Sequence, residues 1–527
     1  MATLAEDRVT PEARPAAIPK SAWFALGVLV LANVLNYLDR FIVSILAQAI
    51  KVDLKLDDAQ LGFLLGTAFA VFYSIVGIAM GGIADRLPRK KVMAFGLLLW
   101  SGMTALGGAA STFTMLAVAR IGVGVGEASA NPCSQSLAAD IFPPQRRALA
   151  MGLLLSGVFL GSAAALVIGG WFLEHWPTAC AAVPIAAACG VAPWQAALFA
   201  VGLPGIPLAL LVLAIREPKR VIHEQGSAGK FIVREFAAAL PPFTVLTTYQ
   251  LGGMTGMIRN LGFAALIAAG AALLVMLTGD FAQWAALGLG AYAVVTWGQV
   301  QSMRDKPLFK LTLGDPTYVM GISATALVAC IGGAVSTWTA PYAMRTFQLS
   351  PTEIGTSLGL IHTLGAILGV VLGGVLTDRW KRRDLRAPLG MTAITLIGTV
   401  IVIPLMLFAR SVTGFLAFYF CLSVVSSLWS GGIAAMVQDL VISRMRGSAA
   451  ACFSLVSIVV SSGTGPYWAG KVSTVTGSLT TGMLSLLVLA PFAFVLLWLT
   501  ARRLPKETPE ARMAIAIAAG EPAPQGQ

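Results

Sequence analysis

Four ionisable residues lie inside apolar stretches: Asp39 and Arg40 within 22–47, and Arg120 and Glu127 within 113–139. An Asp, Arg or Glu at bilayer depth costs about 2.5–3.5 kcal/mol on insertion scales, so each is expected to line an internal cavity rather than face lipid. Arg120 and Glu127 are seven residues apart, which sets them two turns apart on one helix face, about 10.5 Å along the axis. Counted inward from the ends of their spans, Asp39, Arg120 and Glu127 overlap in depth. If the first and fourth spans are neighbours, Asp39 and Glu127 can compete for the Arg120 guanidinium. Protonating one acid frees it for a phosphate or for the other acid, which is the chemistry of proton coupling. The plainer alternative is a static ion pair joining the first and fourth spans. Arg40 either pairs locally or points elsewhere.

Asn33, Asn36 and Tyr37 extend the polar face of the first span, and Asn131 and Gln135 follow Glu127 at four-residue steps. In the second part of the chain His362 is the ionisable group near mid-span, with Trp338, Phe420 and Trp429 as apolar lining. The expected substrate contacts are Arg120, Asn36, Tyr37, Asn131, Gln135, His362, Trp338 and Trp429. A charged wall facing an apolar one fits an amphiphile.

The elements that position these residues follow from composition. A chain of 527 residues, 57% hydrophobic and 11% charged, with a mean hydropathy of +0.81, reads as a polytopic membrane protein. Fourteen candidate transmembrane helices of about 18–25 apolar residues can be laid along it. Most Lys and Arg fall in alternate loops, the opposite ones keeping only Lys51, Lys55, Arg345, Arg410 and Lys471. Both termini are thus expected in the cytoplasm, in a plasma or inner membrane. The net charge of +12 follows from this topology, so no nucleic-acid partner is expected, and the basic loops suit anionic lipid headgroups.

Gly81-Gly82-Ile83-Ala84-Asp85-Arg86-Leu87-Pro88-Arg89-Lys90-Lys91 returns as Gly373-Gly374-Val375-Leu376-Thr377-Asp378-Arg379-Trp380-Lys381-Arg382-Arg383. Asp140 with Arg146-Arg147 echoes in Asp439 with Arg444 and Arg446. Two parallel six-span halves follow, at 22–215 and 317–501. Around them are expected a cytoplasmic N-terminus (1–21), a linker (216–259), an additional transmembrane hairpin (260–300) read as peripheral, a second linker (301–316) and a disordered tail (502–527).

The repeated loop, matched twice at corresponding positions, resembles the signature of the major facilitator superfamily. Asn36-Tyr37-Leu38-Asp39-Arg40-Phe41, with Arg120-Ile121-Gly122-Val123-Gly124-Val125-Gly126-Glu127-Ala128-Ser129, resembles its Spinster branch. That resemblance implies an all-α major facilitator fold and transport of sphingosine phosphate, lysophospholipids or related amphiphiles. It also implies gating across the two halves by Asp85, Arg86, Arg89, Asp140, Asp378 and Arg379. The expected activity is proton-coupled secondary transport by alternating access, in a monomer with no cofactor. The rivals are a proton-coupled exporter of hydrophobic drugs and, in another class, a channel or non-transporting sensor.

An enzyme is not expected. Gly465 to Val472 nearly spells a phosphate-binding loop, but Val472 stands where a Ser or Thr must ligate magnesium. No metal-spaced His/Cys cluster occurs in the sequence. Cys180 and Cys189 share one exterior loop and are either a disulfide clip or two unpaired thiols.

Overall fold

The structure is a computed structural model and describes residues 19–182, 188–218, 228–240 and 242–522, the side chains of a few of them, Asp85 included, excepted. Every element among the described residues is helical. The first half comprises α1 (Lys20–Asp53), then α2 (Asp58–Gly62) joined through a π-helical turn at Phe63–Thr67 to α3 (Ala68–Arg86), and α4 (Arg89–Gly108). It continues through α5 (Phe113–Glu127), α6 (Ala130–Ile141), α7 (Pro144–Ala179), α8 (Pro193–Gly202) and α9 (Gly205–Leu213). An amphipathic α10 (Ala228–Ala239) leads into a hairpin of α11 (Thr244–Thr278) and α12 (Phe281–Arg304), followed by a short α13 (Lys306–Leu311). The second half is α14 (Pro316–Phe347), α15 (Pro351–Lys381), α16 (Ala387–Leu407), α17 (Val412–Ser427), α18 (Ser430–Asp439), α19 (Arg446–Thr476), α20 (Leu479–Ser485) and α21 (Leu489–Arg503). A last helix, α22 (Pro509–Ala518), follows it.

The internal repeat reaches down to the caps. The second span of each half opens with a capping box, Asp57 with Gln60 and Ser350 with Glu353. The fourth opens on a hydroxyl cap, Thr112 taking the Met115 N–H and Ser411 the Gly414 N–H. That fourth span then breaks for two residues in both halves, between Glu127 and Ala130 and between Ser427 and Ser430.

The halves meet along two reciprocal seams, α7 against α15 and α19 against α2 and α3, while α1 also touches α14. Glycines set the closeness of each seam. A Cβ on Gly62 or Gly66 would lie 2.4 Å from the Pro466 carbonyl oxygen or 2.2 Å from that of Ser462. Their repeat partners Gly355 and Gly359 stand 2.2 Å from the Leu166 oxygen and 3.0 Å from the Ala163 oxygen in the same sense. Backbone thus packs on backbone, as small residues allow in a membrane.

Three expectations are corrected. Thirteen helices among the described residues are long and apolar enough to cross a membrane, not fourteen. The second arm of the hairpin is a 24-residue helix outside that set, because it carries Gln283, Gln299, Gln301 and Arg304. The first arm begins at Thr244 and kinks at Gly253 (φ +60°), so much of the segment expected as linker is helix. The tail is not wholly disordered: buried Arg512 of α22 pairs with Asp315 at 2.7 Å and Glu507 at 3.0 Å.

Candidate substrate cavity

A cavity of ≈ 310 Å³ lies between the halves. From the first half it is lined by Arg40, Phe41 and Ser44 of α1 and by Leu65, Gly66 and Phe69. The charged group on this wall is Arg40, which sequence reasoning left without a role. Its guanidinium lies over Tyr37, Phe69 and Tyr73 at 4.9, 4.7 and 4.9 Å from their ring centroids. Nη2 also bonds the Glu127 carboxylate at 2.9 Å. Three rings and one carboxylate thus hold the cation at the cavity edge, each ring adding about 0.5–2 kcal/mol. Tyr37, Arg40, Phe41 and Ser44 follow helical spacing, and that polar-aromatic stripe is the signal that could have singled out Arg40.

Arg120 does not reach the cavity. It is buried, with its guanidinium donating to the backbone carbonyls of Leu64 at 3.4 Å and Asp39 at 3.3 Å. The expected contest for Arg120 is replaced by a Glu127–Arg40 pair. Successive helical residues diverge by about 100°, so Arg40 can face Glu127 while the Asp39 side chain turns into the bundle. Both Asp39 carboxylate oxygens are buried and face the Trp100 indole N–H and the Thr104 hydroxyl without a hydrogen bond of ordinary length, and Glu127 Oε1 faces the Asn36 amide in the same way.

The remaining expected contacts divide in two. His362 and Trp429 line the cavity; His362 stacks on Tyr419 at 6.2 Å with its Nδ1 unpartnered, and Trp429 stands at the break between α17 and α18. Trp338 does not: it is fully buried and its indole N–H donates to the Pro466 carbonyl at 2.9 Å. Asn131 supports the cage by donating to the Tyr73 hydroxyl at 3.1 Å, Asn33 donates to the Leu154 carbonyl at 2.6 Å, and Gln135 is exposed away from the lining.

The second-half wall mixes apolar groups, among them Val328, Ala334, Ile458 and Trp429, with hydroxyls that sequence reasoning did not single out. Ser336, Thr337, Thr395, Thr399, Ser426, Ser461 and Ser462 all line it. Some of these hydroxyls bond their own helix, Thr337 to the Gly333 carbonyl and Ser426 to that of Ser423, while Thr395 and Thr399 have unpartnered hydroxyls. A hydroxyl that satisfies itself on its own helix leaves little trace in the hydropathy of a span.

Two of the expected gating residues, Arg89 and Asp140, pair with each other inside the first half. Arg89 is buried and its guanidinium meets Asp140 at 2.8 Å and Ser136 at 2.8 Å within the first half, and Glu217 at 2.9 Å just beyond it. On the matching loop of the second half Lys381 meets Asp439 at 2.6 Å. Asp378 and Arg379 are exposed, Arg86 lies over the Phe231 ring of α10 at 4.1 Å, and the Asp85 side chain is outside the described residues. An ion-pair cluster that crosses the halves sits at the end of the bundle opposite the termini. There Asp58 takes Arg345 at 2.8 and 2.9 Å, with Lys51 and Ser473 each at 2.6 Å. Cys180 and Cys189 at that end are joined as a disulfide, their Cα atoms 5.1 Å apart.

The family model of the Major Facilitator Superfamily matches residues 29–457. An "MFS-type efflux pump" of Mycolicibacterium smegmatis is 27% identical over 464 residues, 86% of this chain and 85% of that protein. The "Sphingosine-1-phosphate transporter SPNS2" of Danio rerio is 24% identical over 467 residues, 85% of this chain and 75% of that protein. Among solved structures, a bacterial homolog to the human lysosomal transporter Spinster, in an inward-facing and occupied conformation, aligns with a TM-score of 0.68 at 21% identity, covering 93% of this chain and 99% of that one.

Proposed function

This chain belongs to the major facilitator superfamily, and from that premise we propose that it is a proton-coupled transporter of an amphiphile with an anionic head group. It is a multi-pass membrane transporter of small molecules; cargo, coupling and orientation are the parts proposed. The observation carrying the reading is the caged Arg40 at the edge of the cavity between the halves. A guanidinium at such a site recognises a phosphate or carboxylate through charge-assisted hydrogen bonds. The similarity to a sphingosine-1-phosphate transporter supports the same cargo class.

Coupling is assigned to Glu127 and Asp39. When cargo takes Arg40, Glu127 loses its counter-ion in a fully buried position, and a proton is the ligand that removes the cost of that charge. Asp39, buried with neither oxygen in a hydrogen bond of ordinary length, is the second acceptor. Arg120, bonded to the carbonyl of Asp39 itself, holds this part of α1 in place. The termini are assigned to the cytoplasm, because the five exterior basic residues are few and three of them, Lys51, Arg345 and Lys471, are bound to carboxylates.

A second reading, export of hydrophobic small molecules, is favoured by the likeness to an efflux pump over most of both chains. Flux into proteoliposomes under an imposed pH gradient separates the two, using a lysophospholipid, sphingosine phosphate and a lipophilic quaternary ammonium as cargo. The proposal expects gradient-driven flux of an anionic amphiphile, lost in Arg40→Ala and uncoupled in Glu127→Gln. Flux of the cation alone replaces it with the export reading, and flux that ignores pH removes the coupling.

A further inference from the structure

The hairpin has no counterpart in the repeat, yet its second arm lies across a seam between the halves. α12 packs on both α3 and α19, and a Cβ on Gly290 would stand 3.1 Å from Val71 and 3.6 Å from Val459. Toward the end opposite the termini, Gln283, 1% exposed, enters the seam itself. The Thr67 hydroxyl of the first half lies 2.6 Å from both the Gln283 amide oxygen and the Gly463 carbonyl of α19, and Gln283 Nε2 donates to that same carbonyl at 3.2 Å. Three bodies therefore share one buried hydrogen-bond cluster, at the residue where the π-helical turn rejoins α3.

The hairpin tip is fastened to one partner only among these contacts. Asp280 pairs with Lys471 at 2.6 Å and accepts the Tyr467 hydroxyl at 2.7 Å. Lys471 also donates to the Thr278 carbonyl at 2.6 Å, and Trp284 stands edge-on to Tyr467 at 5.5 Å. Lys471 and Tyr467 both belong to α19. The strong polar ties run to the second half, and one polar contact, Gln283 with Thr67, runs to the first beside the apolar packing of α12 on α3.

We propose that the hairpin tip travels with α19 as part of the second half, and that the Gln283–Thr67 contact is a latch that holds this end of the seam shut and breaks when it opens. The proposal rests on the alternating-access reading above. It makes the added hairpin a working part of the cycle and a cover that screens the α3–α19 seam from lipid. Opening this end separates Thr67 from Gln283 and Gly463 together, while Asp280–Lys471 stays closed.

The test is hydrogen–deuterium exchange on the full chain in lipid nanodiscs, read in segments 44–56 and 340–349, which carry Lys51 and Arg345 but no altered position. The four free cysteines are first replaced, leaving the Cys180–Cys189 clip. One variant pair, Thr67→Cys with Gln283→Cys, is bridged by a short bifunctional thiol linker; another, Asp280→Cys with Lys471→Cys, is bridged likewise. Bridging the first pair is expected to slow exchange by about tenfold or more, and bridging the second to leave it within about twofold. Gln283→Leu, unbridged, is expected to speed exchange about fivefold, as loss of one buried hydrogen bond shifts the population. Exchange unmoved by the first bridge and by Gln283→Leu overturns the latch, and equal slowing by the second bridge shows a hairpin that stays with the first half. The readout needs no cargo, so a wrong substrate class leaves it intact.

Discussion

Glu127 reaches Arg40 of the first span at 2.9 Å and leaves Arg120, two turns behind it on its own helix, to the carbonyls of Leu64 and Asp39. The buried charges are thereby sorted. One cation is exposed to the cavity on a carboxylate and three rings, and the other is enclosed and fixed to backbone.

Breaking that pair from one side should cost more than removing it whole. Arg40→Ala leaves a fully buried carboxylate without its ion-pair partner, a loss of about 3–5 kcal/mol. Thermal unfolding of purified protein should show a large drop for Arg40→Ala and recovery of most of it in Arg40→Ala/Glu127→Gln. Flux should stay absent in both. Equal stability of the single and double variants would remove the ion pair from this account.

Asp58 gathers Arg345, Lys51 and Ser473 where the halves close, so Asp58→Asn should bias the protein toward opening at that end. A cysteine placed at Ser336, in the cavity, would then react with a membrane-impermeant thiol reagent from that side about tenfold faster, the shift expected when about 1.4 kcal/mol of closure is lost. Unchanged reactivity would mean that the Arg345 contact contributes nothing to closure.

The seam glycines should respond unequally. At Gly66 an added Cβ stands 2.2 Å from a backbone oxygen that cannot step aside, so overpacking costs about 1–3 kcal/mol. At Gly359 the gap is 3.0 Å, and the gain of about 0.5–1 kcal/mol in helix propensity from Gly to Ala offsets much of the strain. Gly66→Ala should impair closure and flux, whereas Gly359→Ala should leave both close to wild type.

At the terminal end Arg444 joins Asp305, at 2.8 Å, to Glu521. Burial pushes the Asp305 carboxyl upward, but the Arg444 guanidinium and the Leu308 N–H outweigh it and hold the group below its ordinary value; Arg444 does the same for Glu521. Both folded-state values are depressed, so the stabilisation is fully present above the unfolded carboxylate range near pH 4 and is lost as pH falls through the lower folded values. Unfolding scans should show Arg444→Ala less stable than wild type from about pH 5 to 8, with the difference vanishing below about pH 3.

Much of this architecture was legible because it repeats. The glycine-rich loops, Asp140 with Asp439, and the paired halves all rest on like residues recurring in the same order, and the Arg89–Asp140 and Lys381–Asp439 pairs join the same two loops in each half. The site was legible only in part. Adjacent residues on a helix point apart, so sequence could name Asp39, Arg40, Arg120 and Glu127 without saying which cation meets the cavity. Asp58 escaped because two of its partners, Arg345 and Ser473, come from distant segments; yet Lys51 and Arg345, among the few basic residues expected outside, were pointers to a carboxylate. The hairpin seemed peripheral because its one decisive polar group is a single Gln.

The wall opposite Arg40 carries hydroxyls of which two, Thr337 and Ser426, rest on their own helix carbonyls. Such a group can rotate to meet a guest and rotate back, so it loses little when the cavity is empty and gains little when it is filled. Its contribution to discrimination between guests is correspondingly flat. On the proposed reading, selectivity rests on the fixed cation on one side and on volume, and the chamber should accept a broad range of tails attached to one kind of head group.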